Sequence, residues 1–217
     1  MFSGRIAEVT CPRIAVLGTD SAVGKRTIAT ILTKALNNHG IKAVMVGTGQ
    51  TGLIRGARYG VALGAIPCRS APAKWRQRSW RRSRPSGLTS SSSKAKVLSA
   101  TAPISAPRLS SRGRRPNAVI LQHAPARRKL GDFADVPTPD PASEINLIHT
   151  FADTKVIGLT INHANMSDVE VTAAITMYEL EFGIPATDAL TRPVERLVEI
   201  VAGAFPELER KPVARAS

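Results

Sequence analysis

The 217-residue chain is 43% hydrophobic and 4% aromatic, and its formal net charge of +14 corresponds to a pI near 10.9. This length suits one α/β domain spanning residues 1–217, and the lack of an apolar run of about 18 residues excludes a membrane-spanning helix. Because Cys11 and Cys68 are the only cysteines and residues 1–13 lack a secretory signal pattern, we expect a cytoplasmic protein without a disulfide framework.

The first predicted elements are a buried strand at residues 13–18 and a helix that runs from Gly24 to a C-cap at Gly40. The sequence GTDSAVGKRT, residues 18–27, joins them. Small residues allow consecutive backbone N–H groups to curve around a phosphate, and the helix N-terminus favours negative charge. This pattern predicts a phosphate-binding loop in which Lys25 contacts the β- and γ-phosphates and Thr27 offers a hydroxyl to Mg²⁺.

The loop departs from the strict phosphate-loop spacing, because Gly18 lies six positions before Gly24 and Arg26 takes the usual Ser/Thr place. A glycine-rich turn without a ligand is the structural alternative. A strand, a Gly-Lys step and an immediate helix together favour the nucleotide interpretation. The predicted cofactor-binding residues here are Gly18, Thr19, Asp20, Ser21, Ala22, Val23, Gly24, Lys25, Arg26 and Thr27.

A second buried strand is predicted at residues 42–48, followed by the glycine-rich loop at residues 47–52. In α/β sheets, ligands bind at the carboxyl ends of the strands. We therefore predict that the substrate contacts this loop, whereas a plain glycine turn is the structural alternative. The predicted substrate-binding residues are Thr48, Gly49, Gln50 and Thr51.

The basic segment, residues 68–115, does not resemble its surroundings. It holds 13 of the 30 Lys and Arg residues and no acid, so the rest of the chain has a net charge of only +1. Such charge favours a nucleic-acid partner, but base stacking has little support because Trp75 and Trp80 are its only aromatic residues. Taken literally, the segment is a disordered, low-complexity insertion, which is uncommon inside a compact domain.

A frameshift explains the basic segment better. Trp has one codon, TGG, so moving the frame back by one base turns each Trp into an apolar codon ending in TG, followed by a Glu or Ala codon. With plausible codons, residues 73–81 then read Glu-Met-Glu-Ala-Ala-Val-Val-Glu, an amphipathic helix. Residues 93–100 read Ile-Glu-Gly-Gln-Gly-Ala-Leu-Ser, a strand end followed by an acid and a glycine turn. We interpret the segment as frameshifted, with a compensating shift near residues 112–115.

Beyond this segment the pattern again alternates between strands and helices. Pro141 favours a helix start, and Ser167 with Glu170 has the spacing of a capping box. The alternation predicts an α/β fold with a mostly parallel sheet covered by helices on both faces. Together with the phosphate loop, it makes the predicted fold class P-loop NTPase-like. The predicted strands are residues 118–122 and 155–161, and the predicted helices are residues 141–152, 167–182 and 193–205.

His123 ends its predicted strand at the same edge of the sheet as the phosphate loop. We predict a catalytic role for His123 beside Lys25, with a structural histidine as the alternative. Arg127 and the neighbouring basic residues are predicted to contact phosphate or carboxylate, or else to be solvated. Glu144 lies on the helix that starts at Pro141 and is a further candidate for the site.

Three strings carry a family resemblance: GTDSAVGKRT, VGTGQTG and ILQHAPARR. The first resembles the phosphate loop of dethiobiotin synthetases, which is also one residue longer than the strict pattern. That resemblance implies that Asn162 contacts the adenine edge, whereas an Asn that caps the loop is the structural alternative. Together the strings are similar to the domain of unknown function 1611 family, whose members include D-glutamate N-acetyltransferases, over residues 12–67 and 116–206.

The family resemblance also implies an N-terminal Rossmann-like domain, which the 217 residues do not include, and a Glu-Gly-Gln-Gly element after the central strand. The chain has Lys94-Ala95-Lys96-Val97 at that point, whereas the offset frame restores the element. An acid there is the expected group for Mg²⁺ or for positioning water. We therefore do not expect full activity from the printed chain.

The sequence is compatible with three functions. By resemblance, the chain binds ATP with Mg²⁺, or the phosphate-rich end of acetyl-CoA, and acetylates a small acidic substrate such as a D-amino acid. The second function is a ligase or kinase of the dethiobiotin synthetase type, which activates a carboxylate by phosphoryl transfer. The third is a basic nucleic-acid-binding protein, whose affinity would fall steeply with salt. We expect no membrane partner and disfavour nucleic acid, and a homo-oligomer stays open.

Sequencing the coding DNA across residues 60–118 tests the frameshift. We expect the offset frame to read Ile-Glu-Gly-Gln-Gly without a stop codon. A clean printed frame with nonsense in the offset frame would contradict the interpretation and make the basic segment a genuine feature.

Overall fold

The computed structural model describes residues 10–47, 59–60, 96–99, 116–131 and 135–208. Within these ranges the chain alternates between strands and helices, and a short 3₁₀ helix, Pro206–Leu208, follows the last α-helix. The elements in chain order are β1 Arg13–Gly18, α1 Lys25–Asn38, β2 Val44–Gly47, β3 Tyr59–Gly60, β4 Lys96–Ser99, β5 Ala118–His123, α2 Pro141–Phe151, β6 Lys155–Ile161, α3 Asp168–Phe182, β7 Ala186–Thr187 and α4 Glu195–Ala204.

The strands form one sheet in the order β3-β2-β4-β1-β5-β6-β7, and every described pair is parallel. Strand β1 lies inside the sheet, where Ile14 pairs with Val97 of β4 on one side and with Ala118 of β5 on the other. The carboxyl ends of β1, β5 and β6 therefore lie side by side. The predicted fold class, a mostly parallel sheet in an α/β protein, is confirmed.

Strand β4 falls within the basic segment, and it pairs with β1 and β2. The literal interpretation of the segment as wholly disordered is therefore wrong for Lys96–Ser99. The remaining residues of the segment lie outside the described part of the chain, and the frameshift stays a prediction.

Helices cover both faces of the sheet because the central strands are apolar on both sides. Ala118 and Ile120 of β5 pack in a core cluster with residues of α1 and α4. The alternate residues, Val119 and Leu121, pack in a second cluster with residues of α2 and α3. All six residues of β5 are buried as a result. No helix in the described ranges is long and apolar enough to cross a membrane.

The helix boundaries follow the predicted end signals. Pro141 occupies the start of α2, and Ser167 and Glu170 exchange the two hydrogen bonds of a capping box at the start of α3. Gly40, just beyond α1, has a φ of 78°, the left-handed conformation that ends many helices. Strands β3 and β7 are not predicted from the sequence, because a two-residue strand carries no readable pattern.

Gly158 in β6 provides a test of the packing between the sheet and α4. A Cβ atom at this position would lie 2.9 Å from Cγ2 of Ile200. We expect Gly158→Ala to lower the free energy of unfolding by about 1–3 kcal/mol, measured by urea denaturation followed by circular dichroism. The control is Gly203→Ala in α4, where no atom lies within 4 Å of the added Cβ. It should stabilise the helix by about 0.5–1 kcal/mol, and equal effects of the two changes would contradict this account.

Candidate phosphate-binding site

Two glycines shape the loop between β1 and α1. Gly24 precedes α1 with a φ of 102°, a left-handed conformation that favours glycine. At Gly18 a Cβ atom would lie 2.7 Å from Cγ2 of Val23 and 3.0 Å from the carbonyl oxygen of Gln122. Helix α1 has neither a side-chain cap nor an acid in its first turn. The first N–H groups of any helix lack an intrahelical acceptor. Because no side chain caps them here, they suit an anion.

Lys25 is buried inside this loop, with 2% of its surface exposed. Its Nζ donates hydrogen bonds to the carbonyl oxygens of Asp20 and Ser21, the second at 2.9 Å. Burial lowers the pKa of Lys25 to about 8; the charge of Asp20 opposes this shift, and the charges of Arg127 and Arg26 add to it. The nearby acid, Asp20, therefore does not fully offset the cost of burying the positive charge of Lys25.

Asp20 is the acid of the loop, and both oxygens of its carboxylate already accept hydrogen bonds. Oδ2 accepts hydrogen bonds from Nη1 of Arg127 at 2.8 Å and from the backbone N–H of Gly131 at 2.9 Å. Oδ1 accepts from the N–H of Ser21 at 2.5 Å. Burial opposes ionisation, but these donors together lower the pKa of Asp20. The carboxylate therefore ties the segment after β5 to the phosphate loop.

The carbonyl oxygen of Val23 joins the loop to two further strands. It accepts hydrogen bonds from Nε2 of Gln122 at 3.2 Å and from Nδ2 of Asn162 at 3.0 Å. Thr160 donates to the amide oxygen of Gln122, and Oδ1 of Asn162 accepts from the N–H of Ala164 at 3.0 Å. The bond from Ala164 caps the loop that follows β6, which is the structural alternative for Asn162. Its predicted contact with adenine stays a prediction and would use the remaining N–H of the amide.

His123 lies beside the loop but is enclosed by protein. Its Nδ1 lies 2.9 Å from the hydroxyl of Thr19, and its ring meets Tyr178 edge-on with 5.8 Å between the centroids. Burial lowers the pKa of His123 to about 4, although the charge of Asp140 opposes the shift. The imidazole is therefore neutral near pH 7, and its exposed fraction is only 6%.

The other predicted site residues divide into two groups. Arg26 and Thr27 lie half-buried in the first turn of α1, where no described group bonds the Thr27 hydroxyl. The predicted substrate residues, Thr48 to Thr51, lie outside the described residues. In the described ranges, no group of three or more His, Cys, Asp or Glu side chains could hold a metal ion.

Sequence reasoning missed the buried polar pair of Gln122 and Thr160, which are 2% and 0% exposed. Each follows a run of apolar residues near the end of a strand. A polar residue in such a position was the available signal, because buried polar groups need hydrogen-bond partners. The ion pair between Arg127 and Asp20 spans 107 residues, and no local pattern indicates it.

Glu144 is a buried carboxyl group on the face of α2 that packs against the sheet, in line with Pro141 and Ile148. It is 3% exposed, and burial raises its pKa to about 6. No described group bonds its carboxylate. Ionised Glu144 therefore opposes folding at neutral pH.

The pH dependence of stability tests this conclusion. The folded pKa of about 6 exceeds the ordinary value of 4.5, so the folded state retains the proton longer and stability falls as the pH rises from about 4.5 to 6. We expect Glu144→Gln to stabilise the protein by roughly 2 kcal/mol at pH 7.5 and little at pH 4.5, in urea unfolding. The exposed Glu181→Gln is the control, and an equal gain at both pH values would contradict the assignment.

Comparison with known proteins agrees with this geometry. A family model described as Domain of unknown function (DUF1611_C) P-loop domain matches residues 1–198. A D-glutamate N-acetyltransferase from Tritonibacter scottomollicae is 28% identical over 204 residues, which cover 88% of this chain and 58% of that protein. A DUF1611 family protein from Anabaena variabilis superimposes with a TM-score of 0.81 at 25% identity, covering 93% of this chain and 60% of the other.

A nucleotide-binding protein from Archaeoglobus fulgidus, solved in complex with ADP, has a TM-score of 0.59 at 15% identity, with 93% of this chain and 92% of that one covered. This likeness concerns the fold. The chain spans 58% and 60% of the length of the two family relatives. The family model matches residues 1–198, which include the loop at residues 18–27 with its buried lysine. The chain therefore belongs to the DUF1611 family as its P-loop domain.

Proposed function

We propose that the chain binds the phosphates of acetyl-CoA at residues 18–27 and transfers the acetyl group to the amine of a small acidic amino acid such as D-glutamate. The observation that carries this proposal is the burial of Lys25 at the start of α1, directly after the left-handed Gly24 of the loop. The reaction and the acceptor come from the 28% identical relative that is named a D-glutamate N-acetyltransferase.

The charges around the loop support an anionic ligand. The charges of Arg26 and Arg127 act on Lys25, and the nearby acid, Asp20, is ion-paired with Arg127 at 2.8 Å. A cluster of three cations against one carboxylate, at the N-terminus of a helix, attracts phosphate groups. Lys25 would exchange its bonds to loop carbonyls for bonds to phosphate oxygens, which are stronger charge-assisted partners.

Thr19, a residue of the loop, forms a hydrogen bond with His123 at 2.9 Å. Because His123 is neutral near pH 7, it fits a role as a hydrogen-bond partner that orients the Thr19 hydroxyl. In the proposal His123 is therefore a positioning residue that acts through Thr19, and residues 48–51 contact the acceptor. Acetyl-CoA is a cytoplasmic metabolite, so we place the reaction in the cytoplasm.

ATP is the second candidate ligand, since the same loop suits any nucleotide phosphate. A P-loop Mg²⁺ ion takes a hydroxyl of the loop and a carboxylate. Thr27 supplies the hydroxyl, but Asp20, the acid of the loop, has both oxygens engaged by protein donors. The described donor set therefore does not fit the ion, and we derive no step through it.

Replacement of Lys25 tests the phosphate site. We expect Lys25→Ala to weaken acetyl-CoA binding roughly 30-fold or more, measured by titration calorimetry, because the bound phosphate loses the positive charge of the lysine. Lys34→Ala, an exposed position on the same helix, should bind like the wild type. Wild-type affinity should also decline as the pH rises above about 8, where the free Lys25 loses its proton. Unchanged binding by Lys25→Ala would remove the loop from the site.

Product analysis with the same proteins separates the two ligands. Formation of N-acetyl-D-glutamate from acetyl-CoA, with ATP neither required nor consumed, supports the acetyltransferase. ATP hydrolysis or phosphorylation that depends on a carboxylate substrate would support the ligase or kinase instead.

A further inference from the structure

A second histidine, His163, is held by a buried carboxylate at the same edge of the sheet. Its Nδ1 lies 2.5 Å from Oδ2 of Asp188, which is 0% exposed. The same oxygen accepts from the hydroxyl of Thr191 at 2.8 Å, and Oδ1 accepts from the N–H of Leu190 at 3.0 Å. Asp188 is thus fixed by the turn after β7, and it fixes the imidazole in turn.

This arrangement decides which nitrogen of His163 is available. A carboxylate only accepts hydrogen bonds, so Nδ1 carries the proton and Nε2 of the neutral ring carries a lone pair. The side chain of His163 is 35% exposed, and no described group bonds Nε2. A histidine oriented in this way by an aspartate is the arrangement of a general base.

His163 is linked to the phosphate loop through the residue that precedes it. That residue, Asn162, donates from its amide to the carbonyl oxygen of Val23 at 3.0 Å, and Val23 directly precedes Gly24, the N-cap of α1. His123, in contrast, is enclosed between Thr19 and Tyr178. Of the two histidines at this edge, His163 is the one that an amine in solution can reach.

We propose that Nε2 of His163 is the general base that deprotonates the acyl acceptor, with Asp188 as its positioning residue; this inference rests on the proposed function. Nε2 takes a proton from the ammonium group, and the resulting amine forms the C–N bond to the thioester carbonyl. The C–S bond then breaks, and the imidazolium returns one proton to the departing thiolate. The products are the amide, free coenzyme A and one proton released from the nitrogen.

The first experiment compares His163→Gln with wild type in acetyl transfer to D-glutamate. General-base catalysis contributes about 10²–10⁴-fold, so we expect kcat to fall by that factor. The affinity for acetyl-CoA, measured by calorimetry, should stay the same. His39→Gln, at the exposed end of α1, should leave both quantities unchanged.

A spectroscopic experiment needs no turnover. The chain contains four histidines, so the imidazole Cε1–H signals of the full chain are few, and His163→Gln assigns one of them. With coenzyme A bound, addition of D-glutamate should move the His163 signal and leave that of His39 in place. Asp188→Asn should shift the imidazole ¹⁵N signals towards the tautomer protonated at Nε2, because an amide can donate to Nδ1.

The outcomes separate this inference from the proposed function. Failure of the wild type to bind acetyl-CoA removes the proposed function, and the general base falls with it. If acetyl-CoA binds but the His163 signal ignores D-glutamate, or His163→Gln keeps its kcat, the general base is wrong and the phosphate site stands. Weaker coenzyme binding by His163→Gln at unchanged kcat would make His163 a coenzyme contact and overturn the inference as well.

Discussion

The carbonyl oxygen of Val23 is the point on which the site depends. Amide groups from the ends of β5 and β6, Gln122 and Asn162, both donate to it. These bonds fix the last turn of the loop, so that Gly24 takes its left-handed conformation and Lys25 begins α1 inside the protein. The position of one lysine is therefore set by three neighbouring strands of the sheet, through the polar residues at their carboxyl ends.

Electrostatic compensation differs sharply among the buried ionisable groups. Asp20 is surrounded by donors that hold it as a carboxylate, and Asp188 is bonded through both of its oxygens. Lys25 has carbonyl partners and lies close to two arginines, and its pKa falls to about 8 with burial as the main cause. An uncompensated buried cation costs stability. A bound anion would remove that cost, so the same burial that lowers the stability of the free protein would strengthen the binding of the anion.

Local signals in the sequence account for the helices and for most of the longer strands, whereas the contacts of the site depend on distant residues. The capping box of Ser167, the proline at the start of α2 and the loop between β1 and α1 each lie within a few residues and were predicted. The bonds from Gln122 to Val23 and from His163 to Asp188 span 99 and 25 residues. Such pairs follow from the strand order, which no short pattern encodes.

The central place of β1 has a consequence for the order in which the molecule assembles. Arg13 bonds Asn117 across 104 residues, and β1 gains its β5 neighbour only when that distant stretch of chain is available. Closing so long a loop is entropically costly and slows folding. On the ribosome, β1 must therefore wait until the 104 residues that separate Arg13 from Asn117 have emerged. The loop that directly follows β1 gains the hydrogen bonds of Gln122 and Asn162 only after those later residues have been made.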